Sequence, residues 1–274
     1  MSLSSRGGKF GFGLFLLFTC SMRAEAWNTS LSADISSPFV QGDPSMSISA
    51  GAAEDFSKKW GLAVSQAVEK NFYVDSSTKE WELSDTVVAL NLYPRTLIPD
   101  VNWTLRLQMT LPLSHISQVN EIYSKPEARL YSNYPLTDSF RFGLNAFARL
   151  TLSRYETAAA QDGIGGAALP KYSYGAAHSG NWQVVPDWTF AYSMSYTEIV
   201  YHSIEPEGLG NLPVYQQPDH AYSFGLNVSW AVAEKQAITA SYSYGGLLLQ
   251  PGLDDYVLYD QEDSRWSLGY SYSF

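Results

Sequence analysis

Arg106, Arg129, Arg141 and Arg149 are the residues of this chain best placed to do chemistry. Each sits on the polar side of a stretch in which apolar and polar residues alternate. Around Arg106 the apolar partners are Trp103, Leu105, Leu107, Met109 and Leu111. Around Arg141 and Arg149 they are Phe140, Phe142, Leu144, Ala146, Ala148, Leu150 and Leu152. A β-strand sends alternate side chains to opposite faces, so the four guanidinium groups would share one wall built from three successive strands. Positive potential focused on such a wall raises the local concentration of anions. The competing reading pairs these arginines with carboxylates, such as Asp85, Asp187 or an acid folded in from a loop. Both readings stand at this stage.

Other chemistry is thinly represented. His115, His178, His202 and His220 fall in loops or near strand ends. No G-x-S-x-G or H-E-x-x-H pattern accompanies them, and no Ser–His spacing stands out. No phosphate-cradling loop and no Cys/His metal constellation is present. The chain is therefore expected not to be an enzyme, with no catalytic residue, cofactor or metal. A net charge of −10 with scattered basic residues excludes an ordinary nucleic-acid binder. Asp254, Asp255, Asp260, Glu262 and Asp263 make one acidic loop, expected to be solvated.

The elements that must position the arginines are strands. The clearest is Ser264 to Phe274, where Trp266, Leu268, Tyr270, Tyr272 and Phe274 alternate with Ser267, Gly269, Ser271 and Ser273. Its aromatic-rich face and terminal Phe274 make it resemble the closing strand of bacterial outer-membrane β-barrels of the porin-like superfamily. The resemblance implies that Tyr270, Tyr272 and Phe274 are read by the barrel assembly machinery. It further implies lipid and lipopolysaccharide as surroundings. The N-terminus fits export. Arg6 and Lys9 precede an apolar run from Phe10 to Thr19, followed by Ala24-Glu25-Ala26. These are the parts of a Sec-type signal peptide, so residues 1–26 are expected to be cleaved and residues 27–274 to form the barrel. The single cysteine, Cys20, would leave with the signal.

The apolar runs are too short for membrane helices, which need about 20 residues, but suit membrane strands of about 9–11. Alternating segments recur from Leu31 onward. They predict an all-β, antiparallel, up-and-down transmembrane barrel of twelve strands. The number falls to ten if the weak pair within Trp27 to Ala53 is not formed, in which case that segment is the candidate plug. Trp81 to Tyr93 changes face near Asp85, which predicts a bulge. Short turns are expected near residues 54–59, 94–99, 135–138, 181–186 and 233–236. Longer connections are expected near 71–80, 114–126, 155–170, 202–220 and 250–263. With Phe274 in the periplasm, all short turns fall on that side and all long ones outside, as the architecture requires. Trp60, Trp103, Trp188, Trp230 and Phe274 would then form a periplasmic aromatic girdle, and Trp81, Tyr222 and Trp266 an external one.

The opposite faces are rich in Ser, Thr, Gly, Ala and Asn. Small inward side chains leave cross-section open. A Gram-negative outer-membrane channel for small hydrophilic, anion-weighted solutes is the function this implies. The alternative is a non-conducting surface barrel acting through its external loops in adhesion, reception or structure.

Overall fold

The computed structural model describes residues 27–38, 43–72, 80–94, 98, 100–158, 167–203, 218–247 and 264–274. The first strands are β1 (Asn28–Pro38), β2 (Ser45–Ser57), β3 (Trp60–Asn71), β4 (Trp81–Leu83), β5 (Thr86–Leu92) and β6 (Asn102–Leu111). A short helix, α1 (His115–Val119), follows. Then come β7 (Ile122–Pro135), β8 (Phe140–Leu150), β9 (Leu152–Ser153) and β10 (Pro170–Val185). The series ends with β11 (Trp188–Tyr201), β12 (Asp219–Ala233), β13 (Gln236–Leu247) and β14 (Arg265–Ser273). Twelve of the strands close into one antiparallel ring, with β4 and β9 outside it. Closure is made by β1, which pairs with β2 on one side and with β14 on the other. A closed ring has no edge, so its ladder groups are satisfied without water.

The N-terminal pair is therefore real. Strands β1 and β2 build wall, not plug. Weak alternation in β1 reflects its many serines, which bond across the strands: Ser32 Oγ lies 2.6 Å from Ser49 Oγ.

Register fixes the faces. Leu31, Ala33 and Ile35 oppose Ala50, Ile48 and Met46, and on the other side Tyr272, Tyr270 and Leu268. This apolar face is exposed. Leu144, Leu150 and Leu268 are 50–52% accessible, whereas the largest residues fully buried among the described ones are no bigger than serine, Ser117 and Ser264. A soluble β-sandwich would pack such residues between two sheets. Among the described residues no second layer covers them. An apolar surface of this extent marks a contact with lipid or protein.

The limits of several elements differ from those read in the sequence. Strand β10 is 16 residues long and runs through Gly180 to Val185, which the Gly, Asn and Pro of residues 180–186 had marked as turn. The rings of Tyr192 and Phe140 lie over Gly180; a Cβ there would sit 2.2 Å from Tyr192 Cε1. The real turn is Pro186-Asp187. Strand β7 starts at Ile122 rather than Glu127, shortening the expected 114–126 loop. The turn expected at 54–59 contracts to Lys58-Lys59. The bulge near Asp85 is present, between β4 and β5. Ser84 stitches it to β3: its N donates to Ala67 O at 2.9 Å, and its Oγ accepts from Ala67 N at 2.8 Å.

Candidate site on the inner wall of β6 to β8

All four arginines lie on the polar face. Arg106 pairs directly with Arg129, and Arg129 with Phe147. One row further along, Gln108 pairs with Glu127 and Glu127 with Arg149. Arg141 lies apart, opposite Pro135 and Asn181 near the short-turn end. Arg106, Arg129 and Arg149 are thus brought together and Arg141 is not.

Glu127 holds the cluster. Its side chain is 0% exposed. Arg129 Nε donates to Oε1 at 2.8 Å, and Arg149 Nε donates to Oε2 at 2.7 Å, with Arg149 Nη2 at 2.5 Å from the same oxygen. A buried carboxylate needs such partners, because an unpaired one is strongly disfavoured. The Phe147 ring supports both cations, with Arg129 Cζ 4.8 Å and Arg149 Cζ 5.9 Å from its centroid. Phe147 in turn leans over Gly175: a Cβ on Gly175 would lie 2.9 Å from Phe147 Cε1. Arg106 Nε donates to Gln108 Oε1 at 3.0 Å. Among the described residues, no carboxylate lies within 4.0 Å of Arg106 or Arg141.

Neither carboxylate singled out in the sequence lies within 4.0 Å of these arginines. Asp85 lies at the long-loop end, outside the strands. It accepts from Ser114 N at 2.8 Å and Ser117 Oγ at 2.6 Å, and Lys125 Nζ is 3.5 Å away. Burial alone would raise its pKa, but the two serine donors and Lys125 together hold it below the ordinary 3.8. Asp85 thereby anchors α1 at the mouth. Asp187 lies in the β10–β11 turn, where its carbonyl accepts from Ala231 N. The arginine partner is Glu127 instead. The pattern Glu127-x-Arg129 puts both on one face, but only the β7–β8 register reveals Arg149 beside them. Phe147 was missed because it interrupts the small-polar side of its strand.

The remaining inner wall differs. Successive cross-strand rows on β10 to β13 read Ala177, Ser195, Ser223 and Gly245, then Ser179, Ser193, Gly225 and Ser243. Beyond the seam, Asp34, Ser47, Glu69 and Glu82 form one inward row on β1 to β4.

The histidines are dispersed. His115 opens α1. His202 Nδ1 lies 3.4 Å from Glu156 Oε1, and His220 Nδ1 bonds Tyr196 Oη at 2.7 Å. His178 departs from the sequence expectation. It sits mid-strand on the apolar face, opposite Leu144 and Met194, between the rings of Phe142 and Tyr192. The acidic stretch from Asp254 to Asp263 lies outside the described residues, as does the signal segment.

Trp60, Trp103, Trp188, Trp230 and Phe274 lie at the short-turn end. Trp188 and Trp230 stack at 5.7 Å, and Phe274 N donates to Thr29 O. Trp81, Tyr222 and Trp266 lie at the other end, with Lys70 Nζ 5.1 Å from the Trp81 ring. Trp182, hidden in the supposed turn, joins the first group beside Phe140 and Phe190. Tyr270 and Tyr272 face outward on β14. A groove of about 930 Å³ is lined chiefly by outward-facing aliphatic and tyrosine residues such as Leu107, Met109, Ala128, Ala148 and Tyr172, and its lining also takes in Gln108, Glu127 and Arg149 of the arginine wall.

A closed twelve-strand ring, apolar outside and polar inside, is the fold of the outer-membrane porin-like β-barrels. No protein-family model matches the sequence, and no curated protein matches it either. Solved structures do. The NanC porin is 11% identical with a TM-score of 0.55, over 90% of this chain and 100% of that one. The KdgM porin is 11% identical with a TM-score of 0.52, over 89% and 99%. An outer membrane channel of Pseudomonas putida F1 is 12% identical with a TM-score of 0.61, over 91% and 95%. At these identities the likeness is one of fold.

Proposed function

We propose that the protein is a passive outer-membrane channel for small hydrophilic solutes, with anions favoured. The observation that carries this reading is the inward cluster of Arg106, Arg129 and Arg149 facing a bore whose far wall is made of Ser, Gly, Ala and Thr. Small side chains keep the cross-section open, and fixed cations lining it select by charge. Against the three cations the cluster holds one carboxylate, Glu127, so it keeps a positive excess. The KdgM porin, which shares the fold, has been solved with an acidic saccharide, oligogalacturonate. That is consistent with an anion-weighted bore here.

On this reading the aromatic groups at the two ends sit in the headgroup regions of lipid and lipopolysaccharide. Removal of residues 1–26 follows Sec-type export, and Tyr270, Tyr272 and Phe274 present the strand recognised by the barrel assembly machinery. Catalysis forms no part of the proposal. The non-conducting alternative needs a filled lumen, and its sequence-level plug candidate is spent on β1 and β2. Single-channel recording of refolded protein in asymmetric KCl is the test. Steady conductance with a reversal potential set by chloride is expected. Silent bilayers or potassium preference would contradict it.

A further inference from the structure

We infer that Glu127 determines how strongly the bore prefers anions, by fixing two arginines in place and cancelling one of their charges. The inference rests on the channel reading above.

The cluster has a division of labour. Arg129 and Arg149 belong to different strands, and Glu127 cross-links them, one carboxylate oxygen to each. Its side chain is fully covered, whereas Arg129 and Arg149 remain 26% and 38% exposed. A passing solute therefore meets the guanidinium groups and never the carboxylate. Glu127 is a positioning residue: it acts on solutes only through the arginines. Because the contacts to Glu127 use Arg129 Nε and, on Arg149, Nε and Nη2, the other N–H donors of each fork are left for the bore. Phe147 backs both planes, which limits the rotamers they can adopt.

Gln108 provides an internal contrast. It stands directly beside Glu127 in the same row and holds Arg106 through Nε, as Glu127 holds Arg129. Gln108 is neutral, so Arg106 is oriented without being neutralised. Glutamine at position 127 would extend that arrangement across the wall, keeping acceptors for the guanidinium groups while adding one net positive charge to the bore. In a narrow, low-dielectric conduit one fixed charge changes ion partition strongly.

The experiment compares the wild type, Glu127→Gln, Arg149→Gln and the double variant Glu127→Gln/Arg149→Gln by reversal potential in asymmetric KCl. Folding is checked by heat-modifiable electrophoretic mobility. The chloride-to-potassium permeability ratio should rise severalfold in Glu127→Gln, fall in Arg149→Gln, and return near the wild-type value in the double variant. If Glu127→Gln fails to fold, the comparison of Arg149→Gln with the double variant decides, because Glu127→Gln must raise the ratio in that background too. Equal ratios with and without Glu127 would overturn the inference while leaving a conducting channel intact. A silent wild type would overturn the channel reading, and this inference with it.

Discussion

The inner walls of β6 to β8 and of β10 to β13 obey the same rule and end up opposite in character. Both alternate an apolar outward residue with a polar inward one. On β10 to β13 the inward residues are Ser, Gly, Ala, Thr and Asn, joined by short contacts such as Ser195 Oγ to Ser223 Oγ at 2.6 Å. On β6 to β8 they are Arg106, Gln108, Glu127, Arg129, Tyr131, Phe147 and Arg149. The outward face must satisfy one solvent, so it barely varies around the ring. The inward face carries no such demand, and bulk and charge can be gathered on one side. Long side chains are thus gathered on the wall of β6 to β8 and short ones on that of β10 to β13.

The contrast can be broken most severely at the buried carboxylate. Replacing both Arg129 and Arg149 by Ala strands Glu127 without a cation. The loss should be about 3–5 kcal/mol in urea unfolding from vesicles, the scale for leaving a buried charge uncompensated. An equivalent pair of changes on the other wall, Ser195→Ala with Ser223→Ala, should cost far less. Next in size is a charge on the wrong face. Leu144→Arg points outward between Ser132 and His178. It should destabilise by about 2–4 kcal/mol if that face meets the bilayer interior. Ser195→Arg, pointing inward, should be tolerated and should lower single-channel conductance by filling the open wall.

Smaller effects lie at the two ends. Asp85 is held below its ordinary pKa by its serine and lysine partners, so it contributes stability above pH 3.8. That contribution is lost as pH falls through its depressed value. The thermal-stability advantage of wild type over Asp85→Asn should therefore be full at neutral pH and shrink in strong acid. At the short-turn end, Tyr93 Oη donates to Asp55 Oδ1 at 2.7 Å. Burial, then the hydrogen bond and charge of Asp55, push the phenol up to about 12 from 10.0. Its contribution is complete below pH 10 and lost as pH rises toward 12. Tyr93→Phe should match wild type at pH 12 and be slightly less stable at pH 8.

The alternation read from the sequence located the ring, its handed faces and the kink at Asp85, because each is a local consequence of side-chain period. Arg106, Arg129, Arg141 and Arg149 were placed inward for the same reason. What escaped was non-local or locally disguised. Glu127 became the partner of Arg149 only through cross-strand register, which no single segment encodes. Pro126 and Lys125 hid the start of β7, since proline usually punctuates; on this strand it faces outward opposite Met109. Gly180 suggested a turn because the residues that cover it, Tyr192 and Phe140, lie on neighbouring strands.

On the proposed reading the apolar face meets lipid and the small polar face encloses water. Ser195→Cys and Leu144→Cys, each made without Cys20, test it directly in reconstituted vesicles. A membrane-impermeant thiol reagent should label Cys at 195 and reduce the current, while Cys at 144 should react only with a lipid-soluble reagent. Labelling of position 144 by the impermeant reagent, with position 195 protected, would contradict the account.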